Sequence, residues 1–269
     1  MPELPEVETT KRGLEPWLLN QHIEKITVRQ AKLRWPVPVE ISQLEGQRIL
    51  RLERRAKYLL VHTEAGTAIW HLGMSGSLRI VEPSATIGKH DHIDWQLSNE
   101  KVLRYHDPRK FGALLFNPPH SDVAVLAHLG PEPLSDAFTG AYLFARARGK
   151  TQMVKTFIMD ARQVVGVGNI YANESLFKAG IQPELAAGKI SLKRYEILVQ
   201  EIKTILTQAI QQGGTTLRDF VGGDGKPGYF AQQLQVYGRK GLPCPKCQKP
   251  LQEVRITQRS SVFCTKCQH

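Results

Sequence analysis

Two sets of residues in this 269-residue chain have types and spacing that could do chemistry. The first is Met1-Pro2-Glu3-Leu4-Pro5-Glu6. A small residue at position 2 lets an initiator Met be trimmed, which would leave the secondary amine of Pro2 free. An α-amino group titrates near ~8, so a usable neutral fraction exists at physiological pH. Such an amine attacks carbonyl carbons and makes a Schiff base. From proline that product is a permanently cationic iminium, a strong electron sink, and Glu3 sets a carboxylate beside it. The same residues also suit a plain helix start, with Pro in the first turn and carboxylates at the positive end of the dipole.

The second set is Cys244-x2-Cys247-x16-Cys264-x2-Cys267, which uses all 4 cysteines of the chain. In a cytosolic chain such clustering argues for metal rather than disulfides. Two thiolate pairs at this spacing can close a tetrahedral Zn²⁺ site with no position left for water, so one structural Zn²⁺ is expected. Between the pairs, Leu251 to Thr257 and Val262-Phe263 read as two strands of a hairpin, with Gln258-Arg259-Ser260-Ser261 as its tip. On a basic protein, Arg259 there suits a phosphate clamp, because guanidinium matches phosphate oxygens bidentately.

Other stretches carry weaker signals. Arg54-Arg55-Ala56-Lys57 is a basic run that would be solvated or would track a backbone. Leu72-Gly73-Met74-Ser75-Gly76 and Asp107-Pro108-Arg109-Lys110-Phe111-Gly112 read as loops. Their Met74, Phe111 and Arg109 suit either a core or wedges for duplex DNA. His90, beside Asp91 and His92, has no carboxylate cluster to complete a metal site and is read as a phosphate contact or a satisfied surface histidine.

The elements that must position these residues are legible as periodicity. Leu4, Val7, Leu14 and Leu18 share one face of an opening helix. Eight short strands follow: Ile23 to Val28, Arg48 to Leu52, Tyr58 to His62, Thr67 to His71, Leu78 to Val81, Ile93 to Leu97, Val102 to Tyr105 and Ala113 to Phe116. So many strands in so short a stretch predict a β-sandwich or barrel-like domain, closed near Gly130-Pro131-Glu132-Pro133. Helices are then predicted over Thr151 to Asp160, from an Asn169 N-cap to Lys178, and over Ser191 to Gln212. A glycine-rich stretch, Gly222 to Gly228, reads as a flexible loop before the cysteine module.

Composition narrows the partner. The formal net charge is +11, from 36 Lys and Arg against 25 Asp and Glu, and the pI is near 9.6. That excess favours a polyanion, nucleic acid first. No apolar run approaches ~18 residues and the acidic N-terminus is no signal peptide, so a soluble cytoplasmic protein without membrane contact is expected.

At this point a resemblance becomes specific. Met1-Pro2-Glu3-Leu4-Pro5-Glu6-Val7-Glu8-Thr9, Arg55-Ala56-Lys57-Tyr58-Leu59-Leu60, His71-Leu72-Gly73-Met74-Ser75-Gly76, Tyr105 to Gly112, Val165-Gly166-Val167-Gly168-Asn169-Ile170-Tyr171-Ala172, Asp224 to Phe230 and the cysteine module with Gln258-Arg259 together resemble the formamidopyrimidine-DNA glycosylases, bacterial helix-two-turn-helix repair enzymes. The match runs from the first residue to the last.

The resemblance implies an α+β fold: an N-terminal helix and β-sandwich (1–131), a linker (132–150), a helical helix-two-turn-helix domain (151–238) and a four-cysteine zinc ribbon (239–269). It implies a bifunctional glycosylase and abasic-site lyase that removes 8-oxoguanine and formamidopyrimidines from duplex DNA, by a Pro2 Schiff base followed by β,δ-elimination. Glu3 would assist sugar-ring opening, Lys57 would donate a proton in β-elimination, and Arg259 is implicated in the later elimination. A guanidinium, with a pKa above ~12, is the better phosphate clamp. His71 and Asn169 would join Lys57 and Arg259 on the phosphates flanking the lesion. His90, Arg109 and Lys150 would contact DNA; Met74, Arg109 and Phe111 would fill the gap left by the flipped nucleotide; Val221 to Tyr229 would close over the base. A monomer at the bacterial nucleoid is expected. The alternatives are an endonuclease VIII-like enzyme for oxidised pyrimidines and a non-enzymatic zinc-ribbon DNA binder, which would have no use for Pro2.

Overall fold

The computed structural model describes residues 2–215 and 230–269. Met1 and the expected base-closing stretch Val221 to Tyr229 lie outside the described residues. The chain divides into one unit of Met1–Ala127 and Gln212–Ala231 and another of His128–Gln211 and Gln232–His269.

The first unit opens with α1 (Leu4–Leu18), whose Leu4, Val7, Leu14 and Leu18 are all buried, as their spacing requires. Eight strands follow: β1 (Ile23–Val28), β2 (Arg51–Arg55), β3 (Tyr58–Thr63), β4 (Gly66–His71), β5 (Ser77–Val81), β6 (Asp91–Leu97), β7 (Val102–His106) and β8 (Ala113–Asn117). They form two four-stranded antiparallel sheets, ordered β1-β6-β7-β5 and β2-β3-β4-β8. Trp70 of one sheet packs at 5.7 Å on Trp95 and at 5.1 Å on Tyr105 of the other, and all three are fully buried. This is the sandwich core. Each such ring removes roughly 150–250 Å² from water, worth about 4–6 kcal/mol.

One strand of this unit differs from the sequence reading. Strand β2 is Arg51–Arg55 rather than Arg48 to Leu52, because the turn that ends it is Ala56-Lys57, with Ala56 at φ 56°. Alanine gives no turn signal there. Strand β6 is buried on both faces: Asp94 is held by Arg104 at 2.9 and 2.8 Å and by Arg29 at 2.5 Å.

The second unit holds α2 (Gly140–Ala147), α3 (Val154–Met159), α4 (Asn169–Lys178), α5 (Leu192–Gln211) and the hairpin β9 (Gln252–Ile256), β10 (Arg259–Phe263). Helix α2 lies inside the stretch read as a linker. Thr139 caps it by accepting the Tyr142 N–H at 3.0 Å. Gly140 opens it because a Cβ there would stand 2.6 Å from the Cα of Glu196 in α5. Helix α4 is capped by Gly168, so Asn169 is its first residue rather than its cap.

Residues Ile170 to Phe177 of α4 are all buried, which makes α4 the axis of this unit. Asn173 accepts the Val262 N–H of β10 at 2.8 Å. Glu174 accepts three successive N–H groups, from Gln235, Val236 and Tyr237, at 2.9, 3.0 and 2.8 Å. Phe177 packs with Cys244, Leu251, Val262 and Cys264. The hairpin turn is Thr257-Gln258, at φ 44° and 63°, so Arg259 begins β10 instead of lying in a four-residue tip.

Candidate nucleic-acid interface

Pro2 is buried directly ahead of α1. Glu3, 2 % exposed, is the N-cap, and with Glu6 it forms a reciprocal capping box in which Glu6 accepts the Glu3 N–H at 2.8 Å. The other Glu6 oxygen accepts the Thr215 N–H at 2.8 Å. One turn on, Glu8 holds Arg54 of β2 at 2.9 Å, and Arg54 also donates to the Ala56 carbonyl at 3.0 Å. Burial pushes the Glu8 carboxyl up, but the hydrogen bonds from Arg12 and Arg54 prevail and hold it below the usual range. Arg54 therefore does not track a backbone; it pins the helix behind Pro2 to the strand that leads to Lys57.

Lys57 completes the β2–β3 turn, and its neighbour Tyr58 stacks on His71 at 5.0 Å across the β3–β4 pair. His71 accepts the Gly73 N–H on Nδ1 at 3.1 Å, which puts the ring proton on Nε2. Burial, then the charges of Arg34 and Lys57, lower its pKa from 6.5 to about 4. The ring is thus neutral at pH 7 and offers one N–H to an anionic oxygen. Arg34 is a residue that the sequence reading does not single out. It stacks on Trp35 at 4.6 Å, and its amide donates to the Gly112 carbonyl at 3.0 Å. The adjacent Arg-Trp pair in an irregular stretch is the available signal.

Met74 and Phe111 stand 38 % and 46 % exposed on two neighbouring loops, with the Arg109 guanidinium 5.2 Å from the Phe111 ring. The loops interlock: a Cβ on Gly73 would lie 2.3 Å from the Phe111 carbonyl carbon, and one on Gly112 would lie 1.8 Å from the Tyr105 hydroxyl. His90 sits at the base of the second loop. Its carbonyl accepts the Asp107 N–H at 3.0 Å, and its ring meets those of His92 and His106 edge-on at 6.4 and 5.9 Å.

Lys150, Asn169 and Arg259 belong to the second unit. Asn169 joins the Arg259 hairpin through Asn173, whose Nδ2 donates to the Asn169 carbonyl at 2.6 Å while its Oδ1 takes the Val262 N–H. Lys155 of α3 is 1 % exposed and spends its ammonium on the hairpin, donating to the Ser260 carbonyl at 2.8 Å and the Ser261 hydroxyl at 2.6 Å. Neither anchor is visible in the sequence, where both read as ordinary helix residues. Arg259 itself is exposed and borders a cleft of about 390 Å³ with Gln152, Thr156, Met159 and the Asp160–Arg162 ion pair. Lys150 is exposed on the turn after α2.

The four cysteine sulfurs lie within 4.8 Å of one another, with Cys244–Cys267 at 3.9 Å and Cys247–Cys264 at 3.4 Å. None is in a disulfide. Zn–S bonds of about 2.3 Å in a tetrahedron put sulfurs about 3.8 Å apart, so this set fits one structural Zn²⁺. Backbone N–H groups of Lys246 and Cys247 point at Cys244, and those of Lys266 and Cys267 at Cys264, as donors that favour thiolates.

Among the described residues no helix is long and apolar enough to cross a membrane. Three family models match the chain: the formamidopyrimidine-DNA glycosylase N-terminal domain over residues 1–114, the formamidopyrimidine-DNA glycosylase H2TH domain over residues 129–221, and the zinc finger found in FPG and IleRS over residues 241–269. The formamidopyrimidine-DNA glycosylase of Photobacterium profundum is 60% identical over 268 residues, covering 100% of each chain. That of Pseudomonas aeruginosa (strain LESB58) is 57% identical over 269 residues, again covering 100% of each. Among solved structures, MutM in complex with DNA containing carbocyclic 8-oxo-G superposes with a TM-score of 0.92 at 32% identity, covering 99% of both chains. The MutM (Fpg) protein of Thermus thermophilus gives 0.89 at 36%, covering 99% of this chain and 98% of that one.

Proposed function

The chain belongs to the formamidopyrimidine-DNA glycosylase family, and on that premise we propose how its own residues divide the reaction. It is a base-excision DNA glycosylase and abasic-site lyase. Its partner is double-stranded DNA carrying oxidised purines (8-oxoguanine, formamidopyrimidines) or abasic sites. A stacked base is out of an amine's reach, so the nucleotide must be flipped, against an unstacking cost of a few kcal/mol.

With Met1 removed, the Pro2 nitrogen attacks C1′ and the damaged base leaves with the glycosidic electrons. Glu3 assists opening of the sugar ring, which leaves an iminium on Pro2. The iminium acidifies the C2′ protons; loss of one expels the 3′ phosphate, with Lys57 as proton donor. A second elimination expels the 5′ phosphate while Arg259 clamps the backbone. His71 and Asn169 join Lys57 and Arg259 on the flanking phosphates. His90, Arg109 and Lys150 hold the duplex, and Met74, Arg109 and Phe111 fill the vacated stack. The catalytic domain is the sandwich unit of residues 1–127 and 212–231, and the helix-two-turn-helix domain takes in the stretch 132–150, where α2 lies. The four-cysteine module, 239–269, holds the zinc that fixes the Arg259 hairpin. The enzyme acts as a monomer in the bacterial cytoplasm, on nucleoid DNA.

The observation that carries this reading is the position of Pro2, buried directly before the N-cap glutamate of α1. Borohydride trapping on a duplex with one 8-oxoguanine opposite cytosine tests it. The expected result is a covalent adduct mapped to Pro2. An adduct only with an oxidised pyrimidine would move the substrate to the endonuclease VIII type. Tight binding with no adduct on either substrate would leave a DNA-binding protein.

A further inference from the structure

Asp107 has no part in the chemistry above, yet it is 0% exposed and its carboxylate acts only as an acceptor. One oxygen takes the Ser75 hydroxyl at 2.8 Å and the Arg109 N–H at 3.2 Å. The other takes the Gly112 N–H at 2.9 Å and the Tyr105 hydroxyl at 3.0 Å. Its carbonyl accepts from His92 Nε2 at 2.8 Å. Ser75 follows Met74; Arg109 and Gly112 bracket Phe111. A single buried group therefore ties the Met74 loop to the Arg109–Phe111 loop at both ends of the latter.

The surroundings leave this arrangement little freedom. A Cβ on Gly76 would lie 2.3 Å from the Leu72 carbonyl oxygen and 2.6 Å from the Tyr105 hydroxyl. Lys110, between Arg109 and Phe111, is held at φ 56°, a left-handed conformation that a lysine avoids unless its surroundings impose it. An apolar pair and a guanidinium are thus displayed in water on a base that is fully hydrogen-bonded and close-packed.

We propose that Asp107 is the positioning residue of the stack-filling loops: it sets Met74, Arg109 and Phe111 in their mutual geometry before DNA arrives, so that they enter the duplex as one preformed wedge. The inference rests on the reading of these three residues as gap fillers. Wedge entry then costs little ordering of side chains and loops. Loss of the lock slows base opening and spares the bond-breaking steps, which use Pro2, Glu3 and Lys57.

Two variants test this, Ser75→Ala and Asp107→Asn, with Phe111→Ala as the reference for a lost wedge. Single-turnover excision is measured on a fully paired 8-oxoguanine–cytosine duplex, strand cleavage on a preformed abasic site, and opening by 2-aminopurine fluorescence beside the lesion. Ser75→Ala removes one link and is expected to slow opening and paired-duplex excision about 5-fold, the equivalent of one hydrogen bond, with abasic-site cleavage within about 2-fold of the parent. Asp107→Asn is expected to slow opening further, because an amide nitrogen must face at least one donor. Should Asp107→Asn fail to fold, Ser75→Ala still decides. If Phe111→Ala slows opening and Ser75→Ala does not, the positioning role is wrong and the wedge stands. If Phe111→Ala leaves opening unchanged, the gap-filling reading itself fails. A Ser75→Ala protein with a lower Tm but equal losses on both substrates would mark Asp107 as merely structural.

Discussion

At the scale of single residues, the chemistry was legible where it lies in residue type alone. A secondary amine followed by a carboxylate needs no fold to be noticed, and neither do four cysteines in two pairs. Pro2→Gly is expected to abolish borohydride-trappable adduct and strand cleavage while DNA binding persists; cleavage at the parent rate would remove Pro2 from the mechanism. What the sequence could not show is the state of His71, which depends on Arg34 and Lys57 arriving beside it. Its folded pKa of about 4 lies below the ordinary 6.5. The unfolded chain therefore binds the extra proton in between, and stability contributed by the neutral ring is present above pH 6.5 and lost as pH falls toward 4. NMR titration of the free protein is expected to show His71 neutral and unchanging from pH 8 to 6. A midpoint near 6.5 would mean that the ring is not held as described.

Elements were legible in proportion to their periodicity. Seven of the eight sandwich strands stand within two residues of their predicted bounds at either end, because each is a short run rich in aliphatic and aromatic residues. Strand β2 and the β9–β10 hairpin were misplaced for one shared physical reason. Their turns, Ala56-Lys57 and Thr257-Gln258, use left-handed backbone without the Gly or Asn that signals it. Thr257 is β-branched, so its strain is real. Replacing Thr257-Gln258 with Asn-Gly is expected to raise stability by about 1 kcal/mol, read as a higher urea midpoint. No gain would mean that the turn is relaxed as it stands. Asn173→Leu removes the acceptor of a β10 amide and the tie to Asn169 together. It should cost about 1–3 kcal/mol and weaken DNA binding through both Asn169 and Arg259. Chelating the zinc loosens the same hairpin from its other side; affinity for lesion DNA is expected to fall about tenfold or more, and unchanged affinity would separate Arg259 from the metal.

For the whole molecule, charge was the most direct reading. The excess of +11 includes Lys57, Arg109, Lys150 and Arg259, the four cations assigned to phosphate or duplex contact. If all four displace condensed counterions, log affinity should fall against log salt with a slope of about −3.5. Lys150→Ala should flatten that slope by about one without changing lesion preference. A slope near zero would contradict electrostatic docking.

The Glu6–Thr215 bond has a consequence for how the molecule comes to be. It joins groups 209 positions apart inside the first unit, since the chain leaves that unit after Ala127 and returns at Gln212. During synthesis the helix behind Pro2 is made early, but the Glu6–Thr215 bond cannot form until Thr215 emerges. Closing so distant a pair is slow, because the entropy of the intervening loop must be overcome first. That tie on the catalytic helix is therefore made late, after its Glu8–Arg54 pair and its buried leucines are already available, and a chain cut after Ala127 would lack it.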